Sequence, residues 1–292
     1  MTTARKHLVS DTQAMVYHIV SRCVRGSWLC GKHKGKDYAH RKDWLIERMN
    51  HLAQAFAVQV HAYAIMSNHF HLVVFYDPTA APLWSDEEVV DRWLHVCPPK
   101  LPGGETDFEA LLQKRQALLS DPAKIEHIRK QLGSLSTYMK FLKQPIARRA
   151  NREDQCSGHF FEQRFYSAAL LDEAAILAAM AYVDLNPIRA QIADSLEQSD
   201  YTSIAQRLRD GDLDAPIQPV VSGLIKMKLQ LNIRLGDYVE HLQQLILPSH
   251  KQDRWREQAA LFKKKQRAYG SETNLINWLN QRGMQLRESP LV

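Results

Sequence analysis

The sequence predicts a mixed fold of strands and helices, opening in the order strand, helix, strand, strand and continuing mainly in helices. Residues 15–22, 58–66 and 69–76 carry the strands: these runs are rich in β-branched and aromatic residues and short enough for single strands. The helices rest first on Trp44, Leu45, Met49, Leu52 and Phe56, which recur at three- and four-residue spacing as on one buried helix face.

Met15 to Arg22 is the first strand, and a Gly/Lys-rich turn from Cys30 to Lys36 follows it. Tyr38 to Ala57 reads as a helix. Val58 to Met66 and His69 to Tyr76 read as two strands joined by a tight Ser67-Asn68 turn. Ser85-Asp-Glu-Glu88 has the form of a capping box ahead of Val89, Val90, Trp93 and Leu94. The Pro/Gly-rich stretch from Pro98 to Gly104 breaks the chain. Asp107 to Ser120 and Pro122 to about Asn151 read as helices, and Pro145 is expected to end or kink the second near Gln144. Phe160 to Leu171 reads as a further strand. Asp172 is placed to cap a helix running through Ala181 to Leu185, which Asn186-Pro187 stops. A boundary is expected within 210–219. Beyond it the chain reads as a helical tail, with a basic stretch from Lys251 to Arg267 and a last helix from Glu272 to Arg282.

Composition narrows the class of function. The chain has 292 residues, 45% of them hydrophobic, enough for a sizeable core. Its formal net charge of +6 favours a polyanionic partner. The four cysteines are irregularly spaced with no CxxC pair, which suits reduced thiols. No apolar run approaches membrane-spanning length and the N-terminus has no signal-peptide pattern, so a soluble, cytoplasmic protein without a membrane partner is expected.

The sharpest chemical feature is His69-Phe-His71. Side chains alternate along a strand, so both imidazoles share a face while Phe70 and Leu72 point into a core. Two imidazoles side by side form a bidentate metal site. The plain alternative is two polar residues on a solvated strand face.

Four segments together, Tyr17-His-Ile-Val-Ser-Arg22, Met66-Ser-Asn-His-Phe-His-Leu-Val73, Gly158-His-Phe-Phe-Glu-Gln-Arg-Phe165 and Tyr182-Val-Asp-Leu-Asn-Pro-Ile-Arg-Ala190, resemble the REP-associated tyrosine transposases of the single-tyrosine HUH superfamily. The resemblance covers roughly residues 10 to 205. It implies an α+β fold with a ferredoxin-like antiparallel sheet and packed helices. On this sequence that becomes a transposase-like domain over 10–205, with a helical insertion around 84–130, and a helical C-terminal region over 220–292. It also implies metal-dependent nicking and rejoining of single-stranded or hairpin DNA, with Mg²⁺ or Mn²⁺ at His69 and His71. Asn151 is the candidate third ligand, with Gln155 and Glu162 as alternatives. Family members occur as monomers and as dimers, so a homodimer is compatible.

In such chemistry a divalent ion neutralises charge on the phosphodiester while a tyrosine oxygen attacks phosphorus and a 3′-OH leaves. The position of that tyrosine departs from the family pattern. Lys143-Gln-Pro-Ile-Ala-Arg-Arg-Ala-Asn-Arg152 holds none, and the family's tyrosine positions fall near Ile146 and Arg149. Tyr138, about two turns or ~11 Å earlier on the same helix, is the candidate nucleophile. The alternatives are a Tyr138 that merely packs with Leu135, Met139 and Leu142; Tyr166; a hydrolytic route through metal-bound water; or a DNA-binding relative, regulatory in role, that has lost the covalent step.

Lys143, Arg148, Arg149, Arg152 and Arg164 cluster around this helix and turn and are candidates for phosphate contacts. His159 is a candidate for stacking on unpaired bases. Arg22 and Arg25, after the first strand, are placed to track a hairpin stem. The alternative is a solvated basic face offset by Glu153, Asp154 and Glu162. The run 263–267 is either a grip on the DNA backbone or a solubilising helix face.

Overall fold

The computed structural model describes residues 8–33, 35–162, 164–223, 229–246, 261–262 and 266–282. Most of the basic run 251–267 therefore lies outside the described residues.

The strands are β1 (Met15–Arg22), β2 (Lys32–His33), β3 (Lys36–Asp37), β4 (Val58–Ile65), β5 (His69–Tyr76), β6 (Tyr166–Leu170) and β7 (Ala268–Tyr269). The helices are α1 (His40–Ala53), α2 (Asp86–Val96), α3 (Phe108–Leu119), α4 (Pro122–Leu132), α5 (Leu135–Glu153), α6 (Glu173–Asp184), α7 (Asn186–Arg189), α8 (Ser203–Asp210), α9 (Leu235–Ile246) and a last one, Glu272–Asn280. The main sheet runs β4-β5-β1-β6-β7. Its first four strands are antiparallel neighbours, in the ferredoxin-like order expected. The two-residue β7 adds a parallel edge beside β6, which the sequence reading did not anticipate.

Strand alternation sorts the core into two layers. Tyr17, Ile19, Phe70, Leu72 and Val74 face one side, which α1 and α5 cover, with α2 and α4 packed beyond. Val16, Ala62, Ala64, Val73, Phe75, Ala168 and Leu170 face the other, against Ile176, Ala179, Met180 and Val183 of α6 and Tyr238 and Leu242 of α9. Among the described residues no helix is long and apolar enough to cross a membrane.

Local chemistry explains most boundaries. Ser85, Asp107, Asp121, Ser134 and Asp172 each cap a helix by accepting a backbone N–H of its first turn. The break between α4 and α5 falls at Gly133-Ser134. Pro145 neither ends nor interrupts α5, contrary to expectation. Proline deprives the carbonyl four residues earlier of its partner. Here that carbonyl, on Phe141, accepts from Arg48 Nε of α1 at 3.2 Å. α6 ends at Asp184 with Leu185 as its C-cap, just before Asn186-Pro187 as expected, and Pro187 then sits in the first turn of α7, where its missing N–H costs nothing. The strand expected over 160–171 shortens to β6, with Phe161 retaining a single bridge to Cys23.

The second layer is clasped by a buried carboxylate. Asp184, at the end of α6, accepts from Ser203 Oγ, from Ile204 N at 3.0 Å and from Tyr238 Oη at 2.8 Å. Arg207 Nη1 lies 3.9 Å away, and its Nη2 donates to the carbonyls of His61 and Gln218 at 2.5 and 2.9 Å. Removing one partner of a buried charge pair costs about 3–5 kcal/mol. Asp184→Ala is expected to destabilise the chain by that amount in urea unfolding, and Asp184→Asn, which keeps an acceptor, by clearly less. Equal losses in the two variants would assign Asp184 a purely steric role.

Candidate functional site

The β1–β5 register sets Arg22 opposite His69, Val20 opposite His71 and His18 opposite Val73. Paired residues share a face, so His18, His69 and His71 stand together on the second layer's side. That face is not solvated, contrary to the plain reading of an amphipathic strand. His71 is 5% exposed and His18 1%, while His69 at the strand's start is half-buried. Tyr182 of α6 covers them, its ring 5.6 Å from that of His71 and 5.8 Å from that of His18. Phe262 lies 5.5 Å from His18. Ala64 opposite His71 and Ala168 opposite His18 leave room for two imidazoles beneath the helix.

Each histidine of the pair is held through Nδ1. His69 Nδ1 lies 2.6 Å from Asn68 Oδ1, and Asn68 Nδ2 donates to the Gly26 carbonyl at 3.1 Å. The Ser67-Asn68 turn is pinned by the loop after β1: Cys23 N donates to Asn68 O and Cys30 N to Ser67 O, both at 2.8 Å. The loop passes so close that a Cβ on Gly31 would collide with the Ser67 side chain. His71 Nδ1 lies 3.0 Å from His18 Nε2, with the rings within 7° of parallel. Arg189 Nη2 donates to Tyr182 Oη at 3.0 Å, its guanidinium 4.3 Å from the ring centre.

Burial lowers all three imidazoles from their ordinary value. His18 falls to about 3 through desolvation alone. His69 falls to about 4, mainly through burial and further through the Arg22 and Arg189 charges. His71 falls well below the ordinary value, through burial first and then its histidine neighbours. The rings are therefore neutral at neutral pH, the state in which imidazole binds metal. Two neutral imidazole nitrogens suit Mn²⁺ better than Mg²⁺, which prefers oxygen donors. Among the described residues no group of three or more His, Cys, Asp or Glu side chains is arranged to hold an ion.

The remaining candidates gather elsewhere. A cavity of about 470 Å³ lies along α5 and the 158–165 segment, lined by Lys140, Lys143, Arg148, Asn151, His159 and Glu162 among others, and by neither His69 nor His71. Within it Asn151 Nδ2 donates to the Gly158 carbonyl at 2.8 Å, and Lys143 Nζ to that of Glu162 at 2.8 Å. Arg149 lies over the Trp44 ring at 3.9 Å. Arg22, Arg25, Arg152 and Arg164 are exposed. Tyr138 is fully buried in the first layer, against Phe56, and its hydroxyl has no hydrogen-bond partner. The structure thus brings neither Tyr138 nor Asn151 to the histidines. Tyr182 and Tyr166 pack against the imidazoles on that face. The Tyr166 hydroxyl donates to the Gln266 carbonyl and lies 3.4 Å from that of Tyr269.

Sequence reasoning missed His18, Asn68 and Tyr182 as members of the site, although all three lie inside the segments that carry the family resemblance. The parity of His18 on β1 was readable. Its pairing with His71 needed the strand register.

Buried neutral histidines link stability to pH. In the unfolded chain they take up protons near 6.5; in the folded chain His18 does so only near 3 and His61 near 4, and burial holds His71 well below its ordinary value. Their contribution is therefore complete above about 6.5 and is lost as pH falls, at up to about 1.4 kcal/mol per pH unit for each of His18, His61 and His71. Calorimetry of the metal-free chain should show Tm falling steadily from pH 6.5 to pH 4.5, and a flat profile would contradict neutral burial.

No protein-family model matches the chain, and no curated protein matches it. The fold is similar to that of a solved REP-associated tyrosine transposase bound to a REP hairpin, at 10% identity and a TM-score of 0.38, over 80% of this chain and 98% of that one.

Proposed function

We propose that this chain is a DNA-binding protein of the REP-associated tyrosine transposase type, which holds a divalent ion at His69 and His71 and engages single-stranded or hairpin DNA. The carrying observation is the pair of neutral imidazoles at the start of β5, with the exposed Arg22 directly across the strand pair. When bound, the ion would neutralise charge on a non-bridging phosphate oxygen. Arg22 is placed to attract the same phosphate. Lys143, Arg148 and His159 supply a second basic surface with the dimensions of a nucleotide pocket.

Nicking and rejoining through a phosphotyrosine is the enzymatic form of this reading. A tyrosine oxygen would attack phosphorus, the 3′-oxygen would leave and take a proton, and the 5′ end would stay on the protein until the reverse step. The burial of Tyr138 on the far face of the sheet favours a second reading, a relative that binds DNA without the covalent step.

A pool of single-stranded hairpin DNAs incubated with Mn²⁺ and read on denaturing gels separates the two. A protein–DNA adduct that disappears in His69→Ala/His71→Ala supports nicking, and its loss in Tyr138→Phe or Tyr182→Phe identifies the nucleophile. No adduct, with binding retained, leaves the DNA-binding relative. In fluorescence anisotropy, Lys143→Ala/Arg148→Ala is expected to weaken hairpin binding and to reduce the salt dependence by about one unit of log–log slope for each phosphate no longer neutralised. Unchanged affinity and slope would remove the cavity from the DNA path.

A further inference from the structure

His69 and His71 can serve an ion only if each presents a nitrogen lone pair, and a neutral imidazole has one lone pair and one N–H. Which nitrogen carries the proton is decided by the partner of the other.

For His69 the partner chain leads back to the backbone. Gly26 O can only accept, so the Asn68 atom 3.1 Å from it is the amide nitrogen. That sets Asn68 Oδ1, an acceptor, against His69 Nδ1 at 2.6 Å. His69 Nδ1 must then carry the proton, which leaves the lone pair on Nε2.

For His71 the partner is another imidazole, and either ring could donate across the 3.0 Å contact. The ion-binding reading decides, because only the His71 nitrogen that does not face His18 can be offered to an ion. His18 Nδ1 is buried without a hydrogen-bond partner. The rings around it are Tyr166, Tyr182 and Phe262, each steeply inclined to the His18 plane, at 81°, 72° and 87°. Because His18 Nε2 faces His71 Nδ1, His71 can offer an ion only Nε2, which places the His71 proton on Nδ1 and, for His18 to accept it, the His18 proton on its own Nδ1. A proton on His18 Nδ1 makes its Nε2 the acceptor. His71 Nδ1 then donates, and the His71 lone pair also falls on Nε2. Unlike His18 Nδ1, His71 Nε2 is not among the buried atoms lacking a partner.

We infer that His18 and Asn68 are positioning residues that hold His71 and His69 as Nδ1–H tautomers, so that both present Nε2 to one divalent ion. This rests on the ion-binding reading proposed above. The two donors reach the same state by unrelated routes, one through a turn amide locked by Gly26 and one through a buried imidazole walled by aromatic rings.

Long-range ¹H–¹⁵N correlation spectra of ¹⁵N-histidine-labelled, metal-free protein at neutral pH read the tautomers without any substitution. The expected result is the Nδ1–H pattern for His69 and for His71. An Nε2–H pattern at His71 would overturn the assignment to His18. Mn²⁺ titration by calorimetry gives the second readout. His18→Phe is expected to weaken Mn²⁺ binding about 10–100-fold, while far-UV circular dichroism stays unchanged. His18→Gln, whose amide oxygen can still accept from His71, is expected to recover most of that loss. Mn²⁺ binding by His18→Phe at wild-type strength would overturn the inference. Wild type that binds no Mn²⁺ but shows both Nδ1–H patterns would support the tautomer assignment and overturn the ion-binding reading, so the two failures are distinguishable.

Discussion

The site depends on how α6 is held against the sheet. Its side chains Ile176, Ala179, Met180 and Val183 bury one sheet face, but apolar contact is non-directional and tolerates sliding. Asp184 removes that freedom. A carboxylate at zero exposure must satisfy its oxygens or pay for the desolvation, and it does so with α8 through Ser203 and Ile204 and with α9 through Tyr238. Burial pushes the Asp184 carboxyl up from its ordinary range, and Arg207 and the three donors oppose that shift. Three helices are thereby fixed to one point, and Arg207 ties that point to β4 through the His61 carbonyl. Tyr182, two residues before Asp184, is consequently set over the imidazoles in one place.

A second clasp serves the other face. Arg41 of α1 is fully buried and donates to Glu153 at 2.9 Å, to Asp154 at 2.5 Å and to the Leu29 carbonyl at 3.0 Å. It joins α1, the end of α5 and the loop after β1. The same loop supplies Gly26 O to Asn68 and so reaches His69. The two clasps are made of different residues on different faces, yet both end at the start of β5. The His69 side of the pair depends on the first-layer loop and the His71 side on the second-layer helix.

Much of this was legible in the sequence. β1 and the β4–β5 hairpin follow from alternation, and the caps at Ser85 and Asp172 from their side chains. The face shared by His69 and His71 follows from parity alone. What was not legible depends on long-range partners. Pro145 reads as a break because the sequence does not reveal that Arg48, nearly a hundred residues earlier, serves the orphaned Phe141 carbonyl. His18 reads as one more strand residue because its role exists only through cross-strand register. The burial of the histidine face is hidden too, since antiparallel strands commonly leave one face solvated and only the placement of α6 shows that this one is covered.

The position of α5 bears on the chemistry beyond the identity of one residue. On this helix Leu135, Tyr138, Leu142 and Ile146 face the first-layer core, and Met139, Lys143, Ala147 and Asn151 face the cavity. Arg149 faces Trp44 of α1. A tyrosine at position 146 would point into the core, and one at position 149 toward α1. Neither stripe meets the imidazoles, because α5 covers the sheet face opposite to theirs. The distance between α5 and the imidazoles thus follows from where the helix packs, whatever residues stand at these positions. A covalent step in this arrangement must draw its oxygen from the histidine face itself or follow a displacement of α5. That displacement would break the contacts of the buried Arg41 guanidinium with Glu153 and Asp154.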